Sequence, residues 1–256
     1  MAIRELKQFD DGYVIWGDFP SDDVIRLLTQ VKIQLVIVDP DYDKMAEDQN
    51  DMEACTFMCR CMKALEGICN NGSSAYIFGD MGCCNYRPFY RTIIKLECCT
   101  NWRMINKVIW KKRIPKTESF SYDECYEEIA VFVLGDDIAG KQLKPNKFNV
   151  QYLDKQKIRL GKRSLGENSL CKRNNVWIDI SEMIRNKVSK KQKPEKLIEI
   201  PILAHTSENE FVFDPFSRHG TTAFVARKNK RRFVVIEKEK IGFDMCVNEL
   251  IKLGTK

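Results

Sequence analysis

Short continuous apolar runs alternate along this chain with stretches of helical periodicity. Leu35-Val36-Ile37-Val38 is such a run, and an uninterrupted apolar segment of that length is the pattern of a strand buried on both faces of a parallel sheet. Further strands are predicted at Tyr13-Val14-Ile15-Trp16, which ends at Gly17-Asp18, at 74–78, at Lys107-Val108-Ile109-Trp110, over 128–134, at Phe211-Val212-Phe213 and over 231–237. Helices are predicted over 21–30, 51–69 and 89–98, after Pro194 and from Ala223. Ser21 followed by Asp22 and Asp23 is an N-cap with first-turn acids. Asn70-Asn71-Gly72 is a stop signal for the second helix, and Pro194 suits the first turn of a later one. Order is expected to resume at Trp177-Ile178-Asp179-Ile180 after a polar stretch. Strands alternating with helices in this way predict an α/β fold, doubly wound around a mostly parallel sheet. A single domain over 1–256 is expected, with a first half at 1–138, an insertion at 139–175 and a second half at 176–256.

Composition narrows the class. The chain has 256 residues, 44% apolar and 30% charged, which is ordinary for a globular protein. It has no apolar run of about 18 residues, so no membrane span is expected. Residues 1–11 are charged and lack a signal-peptide core, which points to the cytoplasm, or to the nucleus or a viral factory in a eukaryotic or viral setting. The eleven cysteines are odd in number and are expected to be reduced thiols. Cys55, Cys59, Cys61 and Cys69 lie in a helix-like stretch without zinc-knuckle spacing, as do Cys83-Cys84 and Cys98-Cys99 outside it, so they read as small buried residues rather than metal ligands.

Charge is distributed unevenly. Residues 141–173 contain Lys141, Lys144, Lys147, Lys155, Lys157, Arg159, Lys162, Arg163, Lys172 and Arg173 against only Asp154 and Glu167, a local surplus of +8 in a chain of net +6. With Phe148 and Tyr152 interleaved, this insertion suits contact with a polyanion, the bland alternative being a solvated basic loop.

Two motifs carry candidate chemistry. Asp214-Pro215-Phe216-Ser217-Arg218-His219-Gly220-Thr221-Thr222 reads as a strand ending in an acid, a tight turn and a helix N-terminus, and Glu237 closes the next strand 23 residues after Asp214. That is the outline of a nucleotide-binding βαβ unit, in which a second acid can hold ribose hydroxyls. Asp39-Pro40-Asp41-Tyr42 follows a central strand, where open α/β sheets place ligand chemistry. His205 and His219 are the only histidines and neither has an evident nucleophile partner, which argues against a Ser–His hydrolase.

Together with Gln192-Lys193-Pro194-Glu195 at a helix start, these motifs resemble the β-class amino-methyltransferases of DNA, over residues 14–253. That family carries a D/S-P-P-Y/W catalytic motif, then a target-recognition region, then its cofactor motif, and the order here is the same. The resemblance implies a Rossmann-like methyltransferase fold in which 1–138 is the catalytic half, 139–175 the recognition insertion and 176–256 the cofactor half. It implies S-adenosylmethionine as cofactor, double-stranded DNA as substrate, a restriction-modification setting, and a homodimer or a partner methyltransferase subunit. Asp39 and the Pro40 carbonyl would accept hydrogen bonds from an exocyclic amine, and Tyr42 would stack on the flipped base. Asp at position 39 leans towards adenine N6 as the target. The cofactor positions that carry over are Asp18, Lys193, Asp214, Phe216, Arg218, Gly220, Thr221 and Glu237, and Tyr126-Glu127 matches a family segment near the target base. Asp41 stands where the family has its second proline, and Arg218 where its turn has a first glycine. A catalytically inactive homologue that binds nucleic acid or a partner subunit is therefore the alternative.

Overall fold

The computed structural model describes residues 3–42, 45, 51–79, 88–116, 124–135, 143–150, 152–154, 170–180 and 192–254. Its centre is a nine-stranded sheet built from β1 (Ile3–Phe9), β2 (Gly12–Gly17), β3 (Ile33–Val38), β4 (Cys69–Gly79), β5 (Trp102–Lys116), β6 (Glu124–Leu134), β9 (Val176–Trp177), β10 (Phe211–Asp214) and β11 (Arg232–Glu237). The spatial order is β1-β2-β11-β10-β3-β4-β6-β5-β9. From β2 through β4 every neighbouring pair is parallel; β1 pairs antiparallel with β2 on one side, and on the other β4–β6 and β6–β5 are antiparallel while the edge strand β9 runs parallel to β5. A short ribbon, β7 (Tyr152–Asp154) paired antiparallel with β8 (Leu170–Lys172), stands apart from the main sheet, within the expected insertion.

Alternation along the central strands explains the layers. In β3, Ile33, Val36 and Val38 join one core with Val24 and Leu28 of α1 (Asp22–Leu28), Met58, Met62 and Leu65 of α2 (Asp51–Leu65) and Phe89 and Leu96 of α3 (Pro88–Cys99). Leu35 and Ile37 face the other side, with Leu197 and Ile202 of α4 (Glu195–His205), Val225 of α5 (Thr221–Lys228) and Phe243 and Leu250 of α6 (Lys240–Gly254). All six β3 residues are buried because helices cover both faces. Each large aliphatic or aromatic side chain so removed from water contributes roughly 1.5–3 kcal/mol. Among the described residues no helix is long and apolar enough to cross a membrane.

Three sequence expectations need correction. Strand β1 was not expected: five of its seven residues are exposed, so it has no apolar signature and is held by antiparallel pairing to β2. Helix α2 ends at Leu65 rather than 69, because Cys69 already pairs with Ile33 in the sheet. Asn70-Asn71-Gly72 therefore interrupts a strand instead of stopping a helix. Gly72 has φ +83, and the Asn146 side chain lies where a Cβ would be, while Asn146 donates from its backbone to the Gly72 carbonyl (2.8 Å). Of the tempting cysteines, Cys55, Cys61 and Cys69 are buried and Cys59 is half-buried, whereas Cys98 and Cys99 are exposed. Cys83-Cys84 lies outside the described residues.

The interior also holds one histidine. His205, 1% exposed at the end of α4, sits between the Ser74 hydroxyl at Nδ1 (2.9 Å) and the Tyr76 hydroxyl at Nε2 (3.0 Å). Burial pushes its pKa down from 6.5 to about 4. The unfolded chain then binds the extra proton more readily than the native one, so protonation favours unfolding. Stability is expected to fall as pH drops from about 6.5 towards about 4, and melting curves of His205→Gln should show a smaller fall across that window.

Candidate active site

Strands β3 and β10 lie side by side and parallel, with Phe213 in register with Val36. The chain leaves β3 towards β4 on one side and β10 towards β11 on the other. The crevice beyond their carboxyl ends is thus a topological switch point, where this architecture binds ligands. Asp39 stands one residue past β3 and Asp214 is the last residue of β10. Two motifs far apart in sequence so face one another, and Asp39, Gln192, Lys193, Asp214, Phe216, Arg218 and Thr221 line one cleft.

Asp214 organises the turn from within. Its Oδ1 accepts the Phe216 N–H (2.9 Å) and its Oδ2 accepts the Thr222 hydroxyl (2.5 Å). The turn is tied to the sheet by the Ser217 N–H donating to the Ile236 carbonyl (2.9 Å). Gly220 opens α5 at φ +80, and a Cβ there would lie 2.2 Å from Cys246 Sγ, so position and conformation both demand glycine. Phe216 packs against Phe57 with ring centroids 6.3 Å apart. The Ser217 hydroxyl and His219 Nδ1 are buried without a hydrogen-bond partner among the described residues. Orphaned polar atoms in a turn of this kind suit a polar ligand seated on it.

Glu237 ends β11, next to β10, and is 8% exposed. Burial raises its pKa, against which the backbone N–H groups of Glu239 (2.7 Å) and Arg218 act. Asp18 lies just beyond β2, which is the neighbour of β11, but its carboxylate is engaged by Arg4 at 2.5 Å and it does not line the cleft. Tyr42 is half-buried, its ring edge-on to Phe89 at 6.1 Å.

The electrostatic centre is a triad that sequence reading did not assemble. The Lys193 ammonium lies 3.3 Å from Asp39 and bonds Glu127, which also pairs with Lys112 at 2.9 Å. Burial works against the Lys193 charge, but Asp39 and Glu127 outweigh it and raise its pKa. For Glu127 burial is likewise outweighed, by Lys193 and Lys112, and its carboxyl is held below the usual range. Asp39 is pushed up, by burial first and with Glu127 adding, while Lys193 and Arg218 pull against that rise. The leading cause is thus burial. The family resemblance points to Tyr126-Glu127 but not to its pairing with Lys193; Glu127 and Glu128 lie within β6 and both are buried. Tyr126 beside them is 40% exposed.

The basic residues of the insertion divide. Lys144 and Lys172 are exposed, Lys172 lying over the Phe148 ring at 5.7 Å. Lys147 is occupied by Glu210 and by Ser207 (3.1 Å), and Arg173 forms a two-pronged pair with Asp179 (2.9 Å for each bond) while stacked on Trp177. These two serve the fold. Lys141, Lys155, Lys157, Arg159, Lys162 and Arg163 lie outside the described residues.

Comparison with known proteins places this geometry. The sequence model of a family described as DNA methylase, covering the N6 and N4 enzymes, matches residues 33–247. The type II methyltransferase M.HinfI of Haemophilus influenzae is 27% identical over 222 residues, 83% of this chain; the chain spans about half of that relative's length (55%). The type II methyltransferase M2.LlaDCHI of Lactococcus lactis subsp. cremoris is 25% identical over 226 residues, covering 87% of this chain and 76% of the relative. Among solved structures, the M1.HpyAVI–SAM complex superposes with a TM-score of 0.59 at 20% identity, covering 89% of this chain and 94% of that one. The cytosine-N4-specific PvuII DNA methyltransferase gives 0.68 at 15% identity, with 96% and 89% covered. The structural likenesses establish a Rossmann-like methyltransferase fold.

Asp214 yields a test of the turn. Burial raises its pKa from 3.8 to about 7, with the Thr222 and Phe216 hydrogen bonds opposing. The native state therefore holds a proton that the unfolded chain has lost, and that contribution to stability disappears as pH rises from about 4 to about 7. In Asp214→Asn the melting temperature should lose this component, leaving the opposite trend from His205 more visible in the same window.

Proposed function

The chain belongs to the DNA methylase family, and from that membership we propose that it is a site-specific DNA methyltransferase acting on the N6 amine of adenine with S-adenosylmethionine as methyl donor. The juxtaposition that carries the reading is Asp39 across one crevice from the Asp214 turn, on adjacent strands. Bound there, the cofactor supplies an activated methyl group on a sulfonium. Support for that cofactor is the buried, unpartnered Ser217 hydroxyl and His219 Nδ1 in the turn, together with the carboxylate of Glu237 one strand away.

The protein's own residues have a defined task. An exocyclic amine conjugated with its ring is a poor nucleophile. Asp39 and the Pro40 carbonyl accept its two N–H bonds, which favours a pyramidal nitrogen with its lone pair aimed across the crevice. Lys193, held by Glu127, keeps a positive charge at Asp39 and so opposes the protonation that burial would impose. Tyr42 offers an aromatic face to a base rotated out of the duplex. Asp39, Pro40 and Tyr42 thus take the catalytic role. Lys193, Asp214, Phe216, Arg218, Gly220, Thr221 and Glu237 take the cofactor role, and Asp18 a place at its margin. Adenine is preferred because position 39 is aspartate; one structural neighbour acts on cytosine N4, so the product base must be identified directly.

The experiment is methyl transfer from labelled S-adenosylmethionine to mixed-sequence duplex DNA, followed by nucleoside chromatography. Label is expected in N6-methyladenine and is expected to fall on the order of a hundredfold or more in Asp39→Ala. Label in N4-methylcytosine would overturn the base assignment, and no label at all would overturn the enzyme. The insertion is tested separately. Lys144→Ala and Lys172→Ala should each weaken DNA binding and reduce the slope of log affinity against log salt by about 1, without altering stability. Arg173→Ala should instead lower stability by about 2 kcal/mol through loss of its bonds to Asp179; equal behaviour of all three variants would refute the division between exposed and fold-bound cations.

A further inference from the structure

The two residues that break the family's pattern, one in each motif, meet in the fold. Arg218 Nη2 lies 3.5 Å from Asp41 Oδ2, and the two side chains are 26% and 29% exposed. They are separated by 176 intervening residues and stand on opposite sides of the crevice. Arg218 also keeps a left-handed backbone, φ +49, at the place where the family turn has glycine. The turn has thus retained its shape while gaining a cation, although a non-glycine residue there costs roughly 1–2 kcal/mol. At the other end, a proline that would have stiffened the loop has become a carboxylate. Two unrelated replacements have no reason to be of opposite charge and within contact distance.

We infer that Asp41 and Arg218 form one positioning pair, an ionic tie across the crevice that holds the Asp39 loop in register with the cofactor turn, in place of the proline and glycine. The inference rests on the methyltransferase reading above. Proline restrains a loop through its own backbone, whereas the tie restrains it through a partner, so the order of each motif depends on the other. Arg218 contributes in a second way, because its guanidinium is one of the cations that oppose the rise in the Asp39 pKa. The pair is partly solvated, and its effect belongs with the coupling of contacting side chains rather than with a deeply buried bridge.

Full-length protein carrying Asp41→Asn, Arg218→Met, both together, or the exchange Asp41→Arg with Arg218→Asp tests this. Methionine keeps the backbone cost at position 218 and an unbranched side chain, while removing the guanidinium's charge and N–H donors. In thermal unfolding without cofactor, the combined Asn/Met variant should be destabilised no more than the worse single variant. In methyl transfer, each single variant should lose about five- to tenfold in kcat, a coupling of the size seen between residues in contact. The Kd for S-adenosylmethionine by calorimetry should move less than about threefold in Asp41→Asn, and the exchange should recover most of the kcat. Additive losses in the combined variant would overturn the tie, as would an Arg218→Met variant that loses cofactor affinity while Asp41→Asn changes nothing. A single variant that fails to fold supports the tie where the exchange restores folding and refutes it where it does not. Coupled unfolding in a protein that neither binds cofactor nor transfers methyl would fell the enzymatic reading and leave the tie standing.

Discussion

A half-buried ammonium flanked by carboxylates is the constraint on which this crevice depends. Lys193 enters from the segment before α4, Asp39 from the end of β3 and Glu127 from β6, so three separate elements converge on one charge. Removing such a cation would leave two carboxylates in a poorly solvated space, which is far costlier than the loss of one hydrogen bond. The arrangement also decides which carboxylate is which. Glu127, with two lysines, is held ionised, while Asp39, with a shared one, is left with a raised pKa. Identical chemical groups a few residues' width apart are thereby given different characters by their surroundings, as required where one is structural and the other faces the cleft.

The turn after β10 follows the same logic with hydrogen bonds in place of charge. Asp214 spends both oxygens on its own loop, on Phe216 and Thr222, and so shapes the turn more directly than it could contact a ligand. The groups left over are Ser217, His219 and the open α5 N-terminus, and these are the ones with spare capacity. His205 and Asp214, both buried, titrate in opposite senses over nearly the same pH range. Their contributions to stability oppose one another there, and the native state is less sensitive to acidification than either residue alone would make it.

Periodicity in the sequence located the parallel centre of the sheet, because β3, β10 and β11 are buried on both faces and their apolar runs are unbroken. It missed β1, five of whose seven residues face solvent and whose order comes mainly from pairing with β2, with Ile3 and Phe9 packing against the core at its two ends. It misread Asn70-Asn71-Gly72 because a stop signal and a strand irregularity use the same residues, and only Asn146, distant in sequence, distinguishes them. At the site, spacing and motif order brought out Asp39, Asp214, Arg218 and Glu237, since local sequence carries strand ends and turns. Pairings across the crevice were not legible. Nothing near Lys193 announces Glu127, nothing near Asp41 announces Arg218, and the charge count that singled out 141–173 could not tell Lys172, left to solvent, from Arg173, committed to Asp179.

Strands β2 and β3 are consecutive in the chain, yet β11 and β10 lie between them in the sheet. During synthesis, therefore, β2 and β3 emerge with facing edges that have no partner until the last strands arrive to fill the gap. Each presents unpaired backbone groups on an apolar strand, the feature that invites association with other chains. Pairing across so long a loop is also slow, because its closure entropy comes before the contacts that reward it. Asp39 can accordingly acquire its facing turn only when the sheet is completed, so a chain arrested partway through translation has half a crevice and two open edges.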